Sequence, residues 1–175
     1  GERQGACLGV KNQVVALVPS DSKGATVMDR PTLGFVLPKT EATQAELRIR
    51  DENFNVVYHT TFSVSGTGGV IGVGIPASAA GLEEGKSYSW DFALACEGDR
   101  SADLRTTGLI YRMTAAGSLA KLDGLKPEAR VDLLAREGVW YDALATMLEM
   151  REKAPQDRQV KAEWEELLRS VGLEP

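Results

Sequence analysis

Residues 87–96 alternate between large apolar side chains and small or polar ones. Tyr88, Trp90, Phe92, Leu94 and Cys96 fall on one parity, and the residues between them are serine, aspartate or alanine. Because successive side chains of a strand point to opposite faces, this pattern predicts a strand with an apolar inner face and a small, mostly polar outer face.

Six further segments have a similar character, and turn-forming residues separate them. The stretch DENFN, for example, is rich in Asp and Asn, whose side chains bond to nearby backbone. Seven short strands with turns between them predict an antiparallel β-sandwich of the fibronectin type III or immunoglobulin-like kind. The other six predicted strands run over residues 14–18, 32–37, 45–50, 56–64, 70–75 and 106–113.

The residues that lead into the strand at Tyr88 have the spacing of a tyrosine corner. Leu82, Gly85 and Tyr88 match the pattern L-x-x-G-x-x-Y of fibronectin-like domains, and Tyr88 opens the sixth predicted strand. In such a corner the tyrosine hydroxyl bonds to upstream backbone and fixes the turn. The alternative is an ordinary strand that contains a tyrosine.

The composition of the chain changes near residues 113–118. Residues 1–113 hold 14 of the 18 glycines, whereas the remainder is rich in Ala, Leu, Glu, Lys and Arg. We therefore expect a β-sandwich domain over residues 1–113 and a C-terminal helical region over residues 114–175, packed on the sandwich or on itself.

Three amphipathic helices are predicted in the C-terminal region. Pro127 suits the first turn of a helix and Gly138 its end, while Pro155 stops a second helix and Asp157 can cap a third. Apolar residues recur at spacings of three and four within each, which predicts helical hairpins with short turns. The side chains expected to dock these helices are Trp140, Leu144, Leu148, Trp164 and Leu168.

Charge and hydropathy argue against two classes of partner. The formal net charge is -5 and no stretch forms a basic patch, so we expect no nucleic-acid partner. No apolar run approaches the ~18 residues that a membrane span needs, so we expect no membrane span.

The residue types that usually form catalytic or metal-binding sites do not occur in a recognisable catalytic or metal-binding pattern. His59 is the only histidine, and it lies on the outward parity of its strand without Cys or His at ligand spacing. This argues against Ser-His-Asp and Cys-His catalysis and against a zinc site. We therefore predict no catalytic residue, no metal site and no cofactor.

The glycine run at residues 66–77 is followed by a strand, so we interpret it as a glycine-kinked edge strand rather than a phosphate-binding loop.

Five stretches together resemble a family, found mainly in cyanobacteria, that is known only as a domain of unknown function. The resemblance implies an exported protein, periplasmic or extracellular, whose signal peptide has been removed. It implies no particular activity, cofactor or catalytic residue. The stretches are ALVPSDSKGATVMDRPTLGFVLP (16–38), VVYHTTFSVSGTGGVIGVGIP (56–76), LEEGKSYSWDFALACEGDRSAD (82–103), EGVWYDALATMLEMR (137–151) and WEELLRSVGL (164–173).

These observations favour a non-enzymatic binding or adaptor module of the cell envelope, whose partner is another envelope protein. The first alternative is a carbohydrate-binding module that binds a glycan, and the second is an uncharacterised hydrolase. The hydrolase would need a carboxylate pair assembled from distant strands.

The two cysteines generate a testable prediction. Cys96 shares the inner parity of Trp90 and Phe92, and Cys7 lies just before the first predicted strand. We predict a Cys7–Cys96 disulfide, which persists in an oxidising compartment and would stabilise the fold by about 4–5 kcal/mol in the chain-entropy estimate. The alternative is a pair of buried free thiols. Mass spectrometry of non-reduced, alkylated protein from an oxidising compartment should find no alkylated cysteine; two alkylated thiols would disprove the bridge.

Overall fold

The computed structural model describes residues 13–95 and 104–174, and these form a mixed α+β fold. Within them, eight strands precede a 3-10 segment (Gly117–Gly124) and three α-helices. The elements are β1 (Val15–Ala16), β2 (Lys23–Thr26), β3 (Thr32–Leu37), β4 (Gln44–Arg50), β5 (Val56–Ser63), β6 (Gly69–Gly74), β7 (Ser87–Ala95), β8 (Leu104–Arg112), α1 (Pro127–Arg136), α2 (Trp140–Lys153) and α3 (Arg158–Ser170).

The strands form two sheets of unequal width. The narrow sheet has the order β1-β3-β6, and the wide sheet has the order β2-β8-β7-β4-β5. All seven predicted segments contain a strand, and β2 is an addition. It pairs in parallel with β8, so the prediction of a purely antiparallel arrangement is wrong for this strand. Its sequence, KGAT, has no apolar alternation by which it could have been recognised.

Aromatic side chains join the inner faces of the two sheets. Phe35 of β3 stacks on Phe92 of β7 with ring centroids 4.1 Å apart, and it meets Trp90 edge-on at 5.4 Å. Tyr88, Trp90, Phe92 and Leu94 are all buried, as the alternation predicted. Burial of large apolar side chains is the main favourable term in folding, so this contact between β3 and β7 is the centre of the core.

The wide sheet extends beyond the narrow sheet at both edges. Because β3 lies over β7, β6 lies towards β4 and β1 towards β8, which leaves β5 and β2 at opposite margins. At the β5 margin the inner-face side chains of Tyr58, Thr60 and Phe62 remain half-buried. The two margins differ because α2 covers only the one at β2.

The start of α2 closes the β2 margin through tightly bonded aromatic residues. The indole of Trp140 donates a hydrogen bond to the carbonyl of Leu17 (2.7 Å). The hydroxyl of Tyr141 accepts from the indole of Trp90 (2.9 Å) and donates to the carbonyl of Leu109 (2.8 Å). Burial raises the pKa of Tyr141 far above its usual range, so the phenol stays protonated and keeps its donor. One hydroxyl therefore connects α2 to β7 and β8.

A buried carboxylate makes the next contact along α2. Asp142 accepts hydrogen bonds from the hydroxyl of Thr26 (2.6 Å) and the backbone N–H of Val27 (2.8 Å) at the end of β2. Its burial raises the pKa of this carboxyl above its usual value, and the two hydrogen bonds act in the opposite direction. The carboxylate holds β2 against the helix, although burying its charge costs free energy.

The rest of α2 crosses the outer face of the narrow sheet, and α3 packs beside it. A Cβ at Gly34 would lie 2.8 Å from Leu144, so the missing side chain lets the helix approach the sheet. On α3, Trp164 is buried beneath Arg151 of α2, whose guanidinium lies 4.2 Å from the ring centroid. Of the five side chains expected to dock the helices, Trp140, Leu144, Trp164 and Leu168 are buried and Leu148 is half-buried.

Replacing Gly108 by alanine should destabilise the fold by roughly 1–3 kcal/mol, the usual cost of overpacking a core. A Cβ at this position would lie 2.3 Å from the Trp90 ring, which cannot move aside because Tyr141 holds its indole. The measurement is chemical denaturation. Gly124→Ala is the matched control, since a Cβ there meets nothing within 4 Å. Equal stabilities of the two variants would contradict this account of the core.

Replacing Asp142 by asparagine should change how stability depends on pH. The folded-state pKa of Asp142 is raised, so ionisation penalises the folded state, and the parent protein loses stability as pH rises from 3.8 through the folded-state pKa. Asparagine has no such penalty, so the Tm of Asp142→Asn relative to the parent should increase from pH 4 to pH 7. Asp132→Asn, at an exposed position of α1, is the control and should show no such trend. A parallel pH profile for Asp142→Asn would refute the assignment.

Candidate functional site

The residues of the predicted tyrosine corner lie together at the start of β7. The hydroxyl of Tyr88 accepts a hydrogen bond from the backbone N–H of Glu83 (2.8 Å), and both Tyr88 and Leu82 are buried. Gly85 has φ +79°, in the left-handed region where glycine carries no Cβ penalty. These three residues shape the turn into the strand and line none of the cavities described below.

Arg112 at the end of β8 fixes the same turn from the other side. Its guanidinium donates to the carbonyl of Leu82 (2.6 Å), and its own carbonyl accepts from Gly85 (2.7 Å). It also lies 3.5 Å from Glu84, while Glu83 pairs with Lys86. The two adjacent glutamates therefore bind different cations and do not form a carboxylate pair. Cys7 and Cys96 lie outside the described residues, so the disulfide stays a prediction.

His59 lies on the outer face of the wide sheet beside a buried carboxylate. Its Nε2 is 3.0 Å from Oε2 of Glu46, and Arg48 lies 3.6 Å from the other oxygen of that group. The side chain of His59 is 42% exposed. The sequence did not reveal the Glu46 partner, because the two residues meet only when β4 pairs with β5. Within residues 13–95 and 104–174, no group of three His, Cys, Asp or Glu side chains could hold a metal ion.

A groove of about 890 Å³ lies between the narrow sheet, α2 and α3. This volume is within the range of known ligand sites. We call it the β6 groove, because Val70, Gly72 and Gly74 of β6 form part of its floor. It is lined by Thr32, Val70, Gly72, Gly74, Ala145, Leu148, Glu149, Arg151, Glu152, Ala154, Pro155, Asp157, Val160, Lys161, Trp164 and Glu165.

Two glycines keep the floor of the β6 groove open. A Cβ at Gly72 would lie 3.3 Å from Leu148 and 3.4 Å from Thr32, and a Cβ at Gly74 would lie 3.3 Å from Thr32. Both glycines are exposed. Larger residues at these positions would therefore fill the floor and press on its surroundings.

The outer edge of β6, at the margin of the groove, has backbone hydrogen-bonding groups that point away from β3 in the plane of the sheet. Ile75 donates to the carbonyl of Pro31 (3.3 Å), and the carbonyl of Gly34 accepts from Leu17 on the opposite side of β3 (2.9 Å). Because the groups of an antiparallel strand alternate between its two sides, those of Gly72 and Gly74 point away from β3. No strand of the described residues pairs with this edge.

Charged side chains of α2 and α3 give the β6 groove an acidic character. Four acids and two bases line it: Glu149, Glu152, Asp157, Glu165, Arg151 and Lys161. One of the bases is already engaged, because the guanidinium of Arg151 covers a face of the Trp164 ring. Partial burial lowers the pKa of this arginine, which nevertheless stays protonated. Two of the acids are also engaged, because Glu165 lies 3.6 Å from Arg169 and Asp157 caps α3, and the net negative charge of the lining favours a cationic ligand.

The β6 groove as a whole has no signature in the sequence. Its residues come from β3, β6, α2 and α3, and no local motif connects them. The one available signal was the glycine run, in which glycine recurs at every second position at the end of β6. That spacing places both glycines on one face of the strand, where an approaching helix or ligand meets them.

Known structures resemble the chain only distantly. CopC from Methylosinus trichosporium OB3b matches with a TM-score of 0.40 and 10% identity, covering 60% of this chain and 98% of its own. The sensor domain of an anti-sigma factor from Pseudobacteroides cellulosolvens matches with a TM-score of 0.39 and 9% identity, covering 61% and 94%. A fibronectin type III domain of human collagen alpha-1(XX) matches with a TM-score of 0.34 and 9% identity, covering 64% and 88%.

Comparison at the level of sequence identifies the family of the chain. None of the curated proteins matches the chain. In the described part of the chain, no helix has the length and apolar character needed to cross a membrane. One family model matches residues 1–175, which is the whole sequence, and the chain therefore belongs to the family described as Domain of Unknown Function (DUF928).

Proposed function

We propose that the chain is a non-enzymatic binding module of the cell envelope, and that it binds an extended segment of a partner protein in the β6 groove. The observation that carries this proposal is the glycine edge of β6, where Gly72 and Gly74 present backbone groups along the groove. A segment laid along this edge forms strand-like hydrogen bonds and places alternate side chains over the groove floor.

The charge of the groove indicates the chemistry of the segment. Glu149, Glu152 and Glu165 lie on its walls, and Leu148 and Val160 add apolar surface between the charges. A segment with Lys or Arg at one position and an apolar residue at a neighbouring inward position matches both features. Electrostatic complementarity of this kind contributes more to specificity and association rate than to affinity.

The cellular location is part of the proposal. The resemblance of the sequence to a mainly cyanobacterial, exported family supports a periplasmic or extracellular location. The predicted disulfide between Cys7 and Cys96 is consistent with that location, because such bridges persist in oxidising compartments. The partner is then another envelope protein.

We further interpret the two-sheet body as a fibronectin-like β-sandwich. The stacking of Phe35 on Phe92 between the sheets supports this interpretation, as does the bond from the Glu83 backbone to the hydroxyl of Tyr88. Sandwiches of this type serve many unrelated functions, so the fold itself does not identify the ligand.

The alternatives have weaker support. A carbohydrate site needs an accessible aromatic ring, but Trp164 is 6% exposed and Arg151 covers one face. The exposed aromatic residues Phe54 and Tyr111 do not line the groove. A hydrolase is the third candidate, because the groove does bring four carboxylates together.

Selection of peptides from a random display library against the immobilised protein should enrich basic sequences that bind the groove. Gly72→Val fills the groove floor, and Glu152→Lys reverses a wall charge. Each should weaken the selected peptides at least tenfold in fluorescence anisotropy, which corresponds to about 1.4 kcal/mol. The controls are Gly124→Val, at an open position, and Glu166→Lys, on α3 but outside the groove.

Failure to enrich any peptide, or equal binding by the groove and control variants, would refute the proposed function. A glycan array on the same protein addresses the carbohydrate alternative, and glycan binding without peptide binding would support it. Hydrolysis of a glycan that is abolished by Glu149→Gln would favour the hydrolase.

A further inference from the structure

The outer edge of β5 has the properties of a pairing edge. No strand of the described residues bonds to it, and its sequence, VVYHTTFS, contains no charged residue, proline or glycine. Long edge strands are commonly protected from pairing by lysine, proline or a bulge. Here a bulge lies at Val57, so the regular edge runs from Tyr58 to Ser63.

The hydrogen bonds to β4 show which backbone groups face outward. Val64 donates to the carbonyl of Thr43 (3.0 Å), so Val64 points towards β4. Since direction alternates along an antiparallel strand, Phe62 and Thr60 also point towards β4. The N–H and C=O groups of His59, Thr61 and Ser63 therefore point outward.

We propose that β5 pairs with β5 of a second copy of this chain, antiparallel and about a two-fold axis at Thr60. This inference does not rest on peptide binding by the β6 groove. A two-fold pairing uses the same surface on both copies, so one edge must complement itself.

When the two-fold axis passes at Thr60, the facing residues of the two β5 strands complement each other. His59 of one copy lies opposite Thr61 of the other, and these two residues exchange backbone hydrogen bonds. Tyr58 lies opposite Phe62, and Thr60 lies opposite Thr60. Aromatic pairs and threonine pairs are favourable cross-strand neighbours, and no like charges meet. Tyr58 and Phe62 are half-buried in the single chain, so each has apolar surface left to cover.

An exposed aromatic residue beyond the strand supports the same register. Phe54 is 78% exposed and has φ +64°, which is uncommon for a bulky residue. The turn is held in this conformation by hydrogen bonds from Asn53 and Asn55 to the carboxylate of Asp51. These hydrogen bonds hold Phe54 in its strained backbone conformation, in which its large apolar side chain is exposed to solvent.

The proposed pairing places Phe54 near an apolar cavity of the other copy. With Thr60 opposite Thr60, the hairpin turn that carries Phe54 lies at the same end of the paired strands as the segment that follows Ser63 of the second copy, which includes Gly66. Gly66 lines a cavity of about 290 Å³, which has room for one aromatic side chain. Its apolar lining includes Leu37, Pro38, Phe62, Val64 and Ile71.

Substitutions at Thr60 test the register directly. Thr60→Lys or Thr60→Glu places like charges opposite each other across the two-fold axis. Sedimentation equilibrium of the parent over a hundredfold concentration range should show a monomer–dimer equilibrium. Each variant should raise the dimer dissociation constant at least tenfold. Thr107→Lys, on the exposed face of β8, is the control and should dimerise like the parent.

Mixing the two charged variants distinguishes lost pairing from lost folding. The Thr60→Lys and Thr60→Glu variants together should form a heterodimer, because opposite charges then meet at the axis. Phe54→Ser should weaken the parent dimer while leaving the monomer's circular dichroism unchanged. A parent that stays monomeric at every concentration, a mixture that does not recover the dimer, or a dimer insensitive to both Thr60 variants would overturn the proposal.

Discussion

The hydroxyl of Tyr141 is the contact on which the arrangement of the rest depends. It accepts from Trp90 in the centre of the core and donates to Leu109 in β8, so the start of helix α2 is bonded to two strands of the wide sheet at once. With the start of α2 fixed there, Asp142 meets β2 and Leu144 reaches Gly34. The β6 groove exists because α2, held in this way, carries α3 beside the narrow sheet.

The wide sheet extends beyond the narrow sheet at both margins, and the margins differ because α2 covers only the one at β2. At the β2 margin, α2 supplies the side chains that a missing strand would have supplied. At the β5 margin, the inner face keeps Tyr58 and Phe62 half-buried, and the edge stays available for another strand. The proposed pairing at β5 would extend the wide sheet, and the cavity proposed for Phe54 of the second copy is lined partly by Leu37, Ile71 and Gly72 of the narrow sheet.

The sequence predicted the local elements well because their signals are local. The alternation of apolar residues from Tyr88 to Leu94 predicts the buried face of one strand. The spacing of apolar residues from Trp140 to Leu148 predicts the buried face of one helix. The predicted membership in a family of unknown function is also confirmed, because the family model matches residues 1–175. In contrast, β2 has no pattern of its own and exists only through its pairing with β8. The β6 groove and the Glu46–His59 contact depend likewise on which elements meet in space, which periodicity does not encode.

The bond between Trp140 and Leu17 joins residues 123 positions apart. Strands β1 and β2 are made well before the helix that seals their margin, because Trp140 follows Leu17 by 123 positions. Contacts of such long range form slowly, because the intervening chain must first be ordered. During vectorial synthesis, this margin therefore stays open until α2 has emerged. A protein assembled in this order completes its core late.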